Sequence, residues 1–367
     1  MRLVVDENIP LARAAFAGFG EVRLLPGRAI TPEAVAEADV LLVRSVTRVD
    51  AALLAGSPVR FVGTATIGTD HLDLAWLEAQ GIAHASAPGS NAASVVEWTI
   101  AALACTAARR GVDLRSRAVG IVGVGNVGRR LDAALARLGV PTLRCDPPRA
   151  EAEGPEGFVS LDRLLAEADV VTLHTPLTRS GPHATHHLVG AEALARMRPG
   201  AWLVNACRGA VVDGGALLAS LTSGHTGAAL LDVFEGEPLP APGLVRAAEI
   251  ATPHVAGYSY DGKLNGARML YDALVAFTGT DPGFDWAAAY ALTPEDARPV
   301  VLPETPPRAD DLHRLVAPLY DVAADDARLR ATLALPDAAR AEAFARLRKA
   351  YPRRRAWRHY GLGWIPD

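Results

Sequence analysis

The chain has 367 residues, half of them hydrophobic, with 37 Lys and Arg against 41 Asp and Glu and a formal net charge of −4. This length and apolar content suit two or three globular domains with sizeable cores, and the acidic balance argues against a nucleic-acid partner, whose footprint is a strongly basic domain. Three cysteines, Cys105, Cys145 and Cys207, without a Cys-x-x-Cys pair argue against a disulfide framework and for a reducing cytoplasm.

The N-terminus, MRLVVDENIP, meets acids at once and has no signal-peptide core. The runs LVV (3–5), VLLV (40–43) and VRFVG (59–63) alternate with amphipathic segments, which predicts βα units on a parallel sheet. Residues 91–110, NAASVVEWTIAALACTAARR, predict a long helix that is apolar nearly all round and therefore buried. Its most apolar stretch, 92–108, is too short for a bilayer and carries Glu97, so no membrane association is expected. A second βα series starts at residue 119 with VGIVG, TLRC, VVTL, AWLVN, AALLDV and EIAT. After residue 290, TPEDARPVVLPETPPRA reads as a proline-rich linker, and 309–350 shows helical spacing rich in Ala, Leu and Arg. The expected divisions are 1–95 with 256–290, 96–255, and a small third domain at 291–367.

The stretch GIVGVGNVGRRL places Gly123, Gly125 and Gly128 between a buried strand and a helix. Gly125 lets the backbone approach a pyrophosphate, and Gly128 lets helix and strand pack closely. The N–H groups of Gly125, Asn126 and Val127, where the helix opens, are suited to phosphate. The next strand ends at Asp146, 18 residues past Gly128. An acid there accepts hydrogen bonds from ribose hydroxyls and repels a 2′-phosphate, which favours NAD over NADP, although Arg149 lies close in sequence.

Four later strand ends carry reactive residue types: His174 and Thr175; Asn205 to Arg208; Asp232, Glu235 and Glu237; and His254, Gly257 and Tyr258. Oxidation of a secondary alcohol needs a hydride acceptor and a base, and histidine titrates near working pH. A carboxylate on the far imidazole nitrogen fixes its tautomer, and a guanidinium can hold a substrate carboxylate bidentately. Arg208, His254 and either Glu235 or Glu237 supply these parts; periodicity does not choose between the two glutamates. GPHATHHL, with His183, His186 and His187, lacks an accompanying Cys or carboxylate pattern, so no metal is expected. The basic run RLRKAYPRRRAWRHY (346–360) reads as a solvated or subunit-facing surface.

GTDHLD, GIVGVGNVGRRL, ADVVTLHTPLT, MRPGAWLVNACRGAVVD, ALLDVFEGEP and HVAG, in this order, resemble the D-isomer-specific 2-hydroxyacid dehydrogenases over residues 35–290. The resemblance implies two Rossmann/flavodoxin-like parallel-sheet domains flanking a cleft, an N-terminal one for substrate and a central one for NAD. It implies that Arg208 binds and polarises the substrate, that Glu237, by its place in EGEP, is the acid partner, and that His254 carries the proton. VDENIP, LLVRSVT, FVGTATIGTDHLD, CDPPRA, HVAGYSYDGK and LVAPLYDVAADDARLR extend the resemblance to family members acting on a small phosphorylated 2-hydroxy acid. These pieces imply a C-terminal α+β dimerisation domain and a homodimer. By position, Ser45, Thr66 and Tyr258 would touch substrate, while Asp146, Thr175, Ala206, Cys207, Arg208, Asp232 and Gly257 would line the cofactor. Arg208 and the backbone of TATIG could take the substrate carboxylate, and Arg44 with Ser45 the phosphate. Arg44 could equally form an ion pair, and Tyr258 could be a packed aromatic. The competing readings are a dehydrogenase for another phospho-acid, such as 3-phosphoglycerate, and a non-catalytic NAD sensor on the same fold.

Overall fold

A computed structural model of the chain describes residues 1–298 and 309–362. Two compact units emerge, one of Met1–Asn91 with Ser259–Ala297, the other of Ala92–Tyr258 with the C-terminal residues. The chain thus crosses between units at 91/92 and 258/259, a few residues from the divisions expected at 95/96 and 255/256.

The first unit holds a five-stranded parallel sheet in the order β2-β1-β3-β4-β5. Its strands are β1 (Arg2–Asp6), β2 (Glu21–Leu25), β3 (Val40–Val43), β4 (Phe61–Thr64) and β5 (Ala83–Ala85). Alternate residues feed opposite faces: Leu3, Val5, Leu42 and Phe61 pack with Leu270 and Leu274 of the Tyr260–Thr278 helix, while Val4, Leu41, Val43 and Val62 form the other core. Both faces are covered, so the central strands read as continuous apolar runs. β2 and β5 escape the sequence reading because they are edges. EVRLL and AHA are only partly buried, and partial burial does not select for such runs.

The second unit has six parallel strands in the order β11-β10-β9-β8-β6-β7. They are β6 (Val119–Val122), β7 (Thr142–Cys145), β8 (Val170–Leu173), β9 (Trp202–Asn205), β10 (Ala228–Leu231) and β11 (Ile250–Ala251). Strand order reverses between β6 and β8, the switch point at which doubly wound sheets bind ligands. The expected long helix forms as Ala92–Arg110, with residues 94–107 buried.

The described C-terminal residues differ from expectation. They form the helices Ala309–Val316, Val322–Ala331 and Asp337–Lys349 with short turns, and no strand occurs among them, whereas an α+β arrangement was expected. Part of the expected linker, residues 299–308, lies outside the described residues. Nor does the segment keep a core of its own: Leu312, Val316, Tyr320 and Trp357 join the cluster that holds Trp98, Ile121 and Leu230. The basic run is a solvated surface only in part, with Arg346, Lys349 and Arg353 exposed. Arg354 and Arg355 are buried, and Arg354 Nη1 lies 3.4 Å from Glu97 Oε2 on the long helix. The Trp357 N–H donates to Glu97 Oε1 at 2.7 Å. A buried carboxylate needs such partners, and Arg354 and the Trp357 N–H of the run supply them.

Candidate active site

The glycine loop follows β6. Gly123 has φ +85°, and a Cβ there would lie 2.7 Å from the His174 carbonyl oxygen at the end of β8. A Cβ on Gly128 would come within 2.0 Å of Gly123 O, so only glycine lets the Gly128–Arg137 helix start this close to the strand. At Gly125 a Cβ would meet nothing within 4 Å. The loop is therefore tight where it packs and open where a pyrophosphate would approach.

Asp146 sits at the end of β7. Its carboxylate accepts the Val124 N–H at 2.8 Å and caps the following helix through the Arg149 N–H at 3.2 Å. Each oxygen keeps acceptor capacity for a ribose hydroxyl. A pocket of about 450 Å³ beside it is lined by Pro147, Ala150, Phe158 and Leu161 among others. Arg149 is engaged elsewhere, with Glu153 at 2.6 Å and the Val124 carbonyl at 2.6 Å, which removes it as a natural clamp for a 2′-phosphate. Thr175 Oγ1 is buried with no hydrogen-bond partner among the described residues, a donor that a bound ligand could satisfy. Asn126 Oδ1 accepts from Arg129 at 3.0 Å, and Val127 is the N-cap residue of the helix. Adjacent His174 is not a proton carrier: desolvation pushes it down to about 3, and its Nε2 lies 2.9 Å from Thr172 Oγ1.

The strand ends beyond β9, β10 and β11 are locked together. Arg208 follows the turn Ala206–Cys207, in which Asn205 Oδ1 accepts the Cys207 N–H at 3.1 Å and Asn205 Nδ2 donates to Arg208 O at 3.0 Å. Desolvation raises the Cys207 thiol above its ordinary value, which keeps it protonated and unreactive. Gly209 lies so close to Phe234 that a Cβ would sit 2.1 Å from its carbonyl, bringing the arginine turn against the loop that carries Glu237. Glu237 Oε2 lies 2.7 Å from His254 Nδ1, and Oε1 accepts the Phe234 N–H at 2.9 Å. Burial pushes the Glu237 carboxyl upward. The hydrogen bond and charge of His254, the Phe234 N–H and the charge of Arg348 outweigh it, leaving the value below that of an ordinary glutamate. Geometry thus separates the two glutamates: Glu235 Oε1 instead meets His187 Nε2 at 2.7 Å. His186, His187 and Glu235 bring ligand atoms within 4.8 Å of one another, so the carboxylate missing from the histidine motif arrives from a distant loop.

His254 has φ +57°, a left-handed conformation unfavourable for a non-glycine residue. Asp232, 1% exposed, holds it there: its backbone carbonyl accepts the His254 N–H at 2.7 Å. Its carboxylate accepts from Thr252 Oγ1 at 2.5 Å and from the Val255 and Ala256 N–H groups at 2.8 and 2.9 Å. Burial raises its carboxyl above the ordinary value. Asp232, expected to line the cofactor, thus also shapes the histidine loop, and its Oδ2, which receives only the Ala256 N–H, keeps acceptor capacity. Gly257 and Tyr258 follow on the same turn, closed by the Tyr258 N–H to Val255 O at 2.8 Å.

In the first unit, Ser45 is exposed after β3, and Thr66 Oγ1 lies 2.7 Å from Thr64 Oγ1 and donates to Gly68 O at 2.9 Å. Burial, then the charge of Arg44, pushes Lys263 down to about 8, so the two cations are neighbours. Sequence reasoning missed Lys263, and it missed Arg348, whose guanidinium carbon lies 5.7 Å from the Tyr258 ring centroid. Neither belongs to a motif with a chemical signature.

An imidazole braced by a carboxylate and an arginine turn packed against its loop, on a sheet that also carries a dinucleotide loop, meet the needs of hydride and proton removal from a hydroxy acid. The class is that of NAD-dependent hydroxy-acid dehydrogenases. Residues 89–256 match the family profile described as D-isomer specific 2-hydroxyacid dehydrogenase, NAD binding domain, and residues 292–363 match a domain of unknown function. Over 362 residues the chain is 52% identical to the erythronate-4-phosphate dehydrogenase of Salinibacter ruber, covering 97% of this chain and 92% of that one. It is 53% identical over 360 residues to the enzyme of the same name from Azotobacter vinelandii, covering 97% and 93%. Among solved structures, TT0316 from Thermus thermophilus aligns with a TM-score of 0.64 at 30% identity, covering 77% of this chain and 98% of that one. D-lactate dehydrogenase from Aquifex aeolicus, complexed with NAD and lactic acid, shares the fold with a TM-score of 0.64 at 24% identity, covering 77% and 96%. The chain belongs to the erythronate-4-phosphate dehydrogenases of the D-isomer-specific 2-hydroxyacid dehydrogenase family.

Proposed function

We propose that the chain oxidises 4-phospho-D-erythronate at C2 to (R)-3-hydroxy-2-oxo-4-phosphooxybutanoate, a step of vitamin B6 synthesis, with NAD as cofactor. The observation that carries this reading is the 2.7 Å contact of His254 Nδ1 with Glu237, beside the turn that bears Arg208. NAD, when bound, supplies the hydride acceptor. Gly125, Asn126, Val127, Asp146, Thr175, Ala206 to Arg208, Asp232 and Gly257 would hold it. His254 takes the C2 hydroxyl proton at Nε2, because Nδ1 is occupied by Glu237. The carboxylate stabilises the imidazolium so formed and fixes the ring. Arg208 grips the substrate carboxylate and polarises the neighbouring oxygen. Ser45, Thr66 and Tyr258 would contact the rest of the substrate.

The same reading carries an N-terminal substrate-binding domain, a cytoplasmic location and a homodimer formed through the C-terminal residues, which light scattering on the purified protein would test. No helix among the described residues is long and apolar enough to cross a membrane. The activity is tested by following NADH formation from 4-phospho-D-erythronate and from 3-phosphoglycerate. Faster turnover of the latter would defeat the substrate assignment.

A further inference from the structure

Arg348 lies in the segment that matches a domain of unknown function. The Asp337–Lys349 helix seats Phe344, 1% exposed, in the same cluster as Leu231 and Phe234. Arg348 stands four residues further on, along the same helix face. Its guanidinium lies over the Tyr258 ring, and the Tyr351 ring meets Tyr258 edge-on at 5.8 Å and 87°. The charge of Arg348 reaches Glu237, but that carboxylate is already taken by His254 and the Phe234 N–H. Arg348 Nε is buried without a hydrogen-bond partner, and no carboxylate among the described residues pairs with the guanidinium. A guanidinium offers five donors in a fork that fits an oxyanion, and leaving it partly buried and unpaired is costly.

We infer that Arg348 binds the phosphate of the substrate, so that the C-terminal helical segment completes the active site. This rests on the phosphorylated-acid reading above. In a four-carbon acid whose C2 hydroxyl is served by His254, the phosphorus lies only four bonds from C2, about 5 Å at ordinary bond lengths. The phosphate must therefore sit near the histidine loop, where Tyr258 and Arg348 are. Arg208 takes the other charged end. Arg44 with Lys263 is the competing anion site.

The test is steady-state kinetics of Arg348→Gln, Arg348→Lys and Arg44→Gln with 4-phospho-D-erythronate and with D-erythronate. NAD affinity, Tm and the binding of inorganic phosphate by calorimetry are measured alongside. Arg348→Gln should raise KM for the phosphorylated acid about 10- to 100-fold, the worth of a charge-assisted hydrogen bond. Phosphate binding should weaken to match, with partial recovery in Arg348→Lys, while kcat/KM for D-erythronate falls far less than for the phosphorylated acid and NAD affinity holds. Equal losses on both acids, or phosphate binding that survives in Arg348→Gln and vanishes in Arg44→Gln, overturn the assignment. If the wild type turns over neither acid, the substrate reading fails on its own, and the calorimetric comparison still decides whether Arg348 is an anion site.

Discussion

His254 Nδ1 and Glu237 Oε2 lie 2.7 Å apart across 17 residues of chain. The contact exists because two loops of adjoining strands are fastened at the buried Asp232, which receives Thr252 Oγ1 and the Val255 and Ala256 N–H groups. Tautomer, ring orientation and stabilisation of the imidazolium all follow from it.

Glu237→Gln should therefore reduce kcat by about 10²- to 10⁴-fold, the range for loss of a carboxylate that orients a catalytic imidazole. NAD affinity, read by fluorescence titration, should hold, since Glu237 is not among the cofactor residues.

The same substitution has a pH signature. The Glu237 carboxyl lies below its ordinary value of 4.5. A depressed carboxyl stabilises the fold fully above its unfolded value, and that contribution disappears as pH falls through the folded one. The Tm difference between wild type and Glu237→Gln should stay constant above about pH 5 and shrink at lower pH. A difference that instead grows on acidification would mean that Glu237 is protonated in the folded protein.

Two glycines only three residues apart should respond oppositely. Gly128→Ala drives a Cβ to within 2.0 Å of the Gly123 carbonyl and should cost about 1–3 kcal/mol in denaturant unfolding. Gly125→Ala meets nothing within 4 Å, should leave Tm unchanged and should weaken NAD binding.

Arg208→Lys should lower kcat/KM by about 10²- to 10³-fold, since an ammonium cannot reproduce the bidentate, polarising grip of a guanidinium. NAD dissociation constants should change little. Equal loss of turnover and NAD affinity would show that the side chain serves the cofactor as much as the substrate.

Arg354 and Glu97 form a pair with side chains 4% and 1% exposed, joining the C-terminal segment to the long helix. Arg354→Met removes the Arg354 charge from a buried carboxylate and should cost about 3–5 kcal/mol. The double variant with Glu97→Gln should lose less than the sum of the two single variants, because both remove one interaction.

The sequence by itself determined the parallel sheets and the glycine loop, and it put forward Arg208 and His254 as expectations. Strands covered on both faces must be apolar throughout, and a dinucleotide loop must have glycine where a Cβ would collide with Gly123 O. Such local demands leave local signatures. The edge strands β2 and β5 left little, because half-exposed positions accept most residue types. The choice of Glu237 over Glu235 needed the family resemblance at the sequence level, and in physical terms it was made only by the loops that carry one carboxylate to His254 and the other to His187. The fate of the basic C-terminal run was likewise decided in three dimensions. Whether an arginine is solvated, paired with a buried Glu97 or laid over Tyr258 depends on what the rest of the chain brings beside it, and charge along a sequence carries no record of that neighbour.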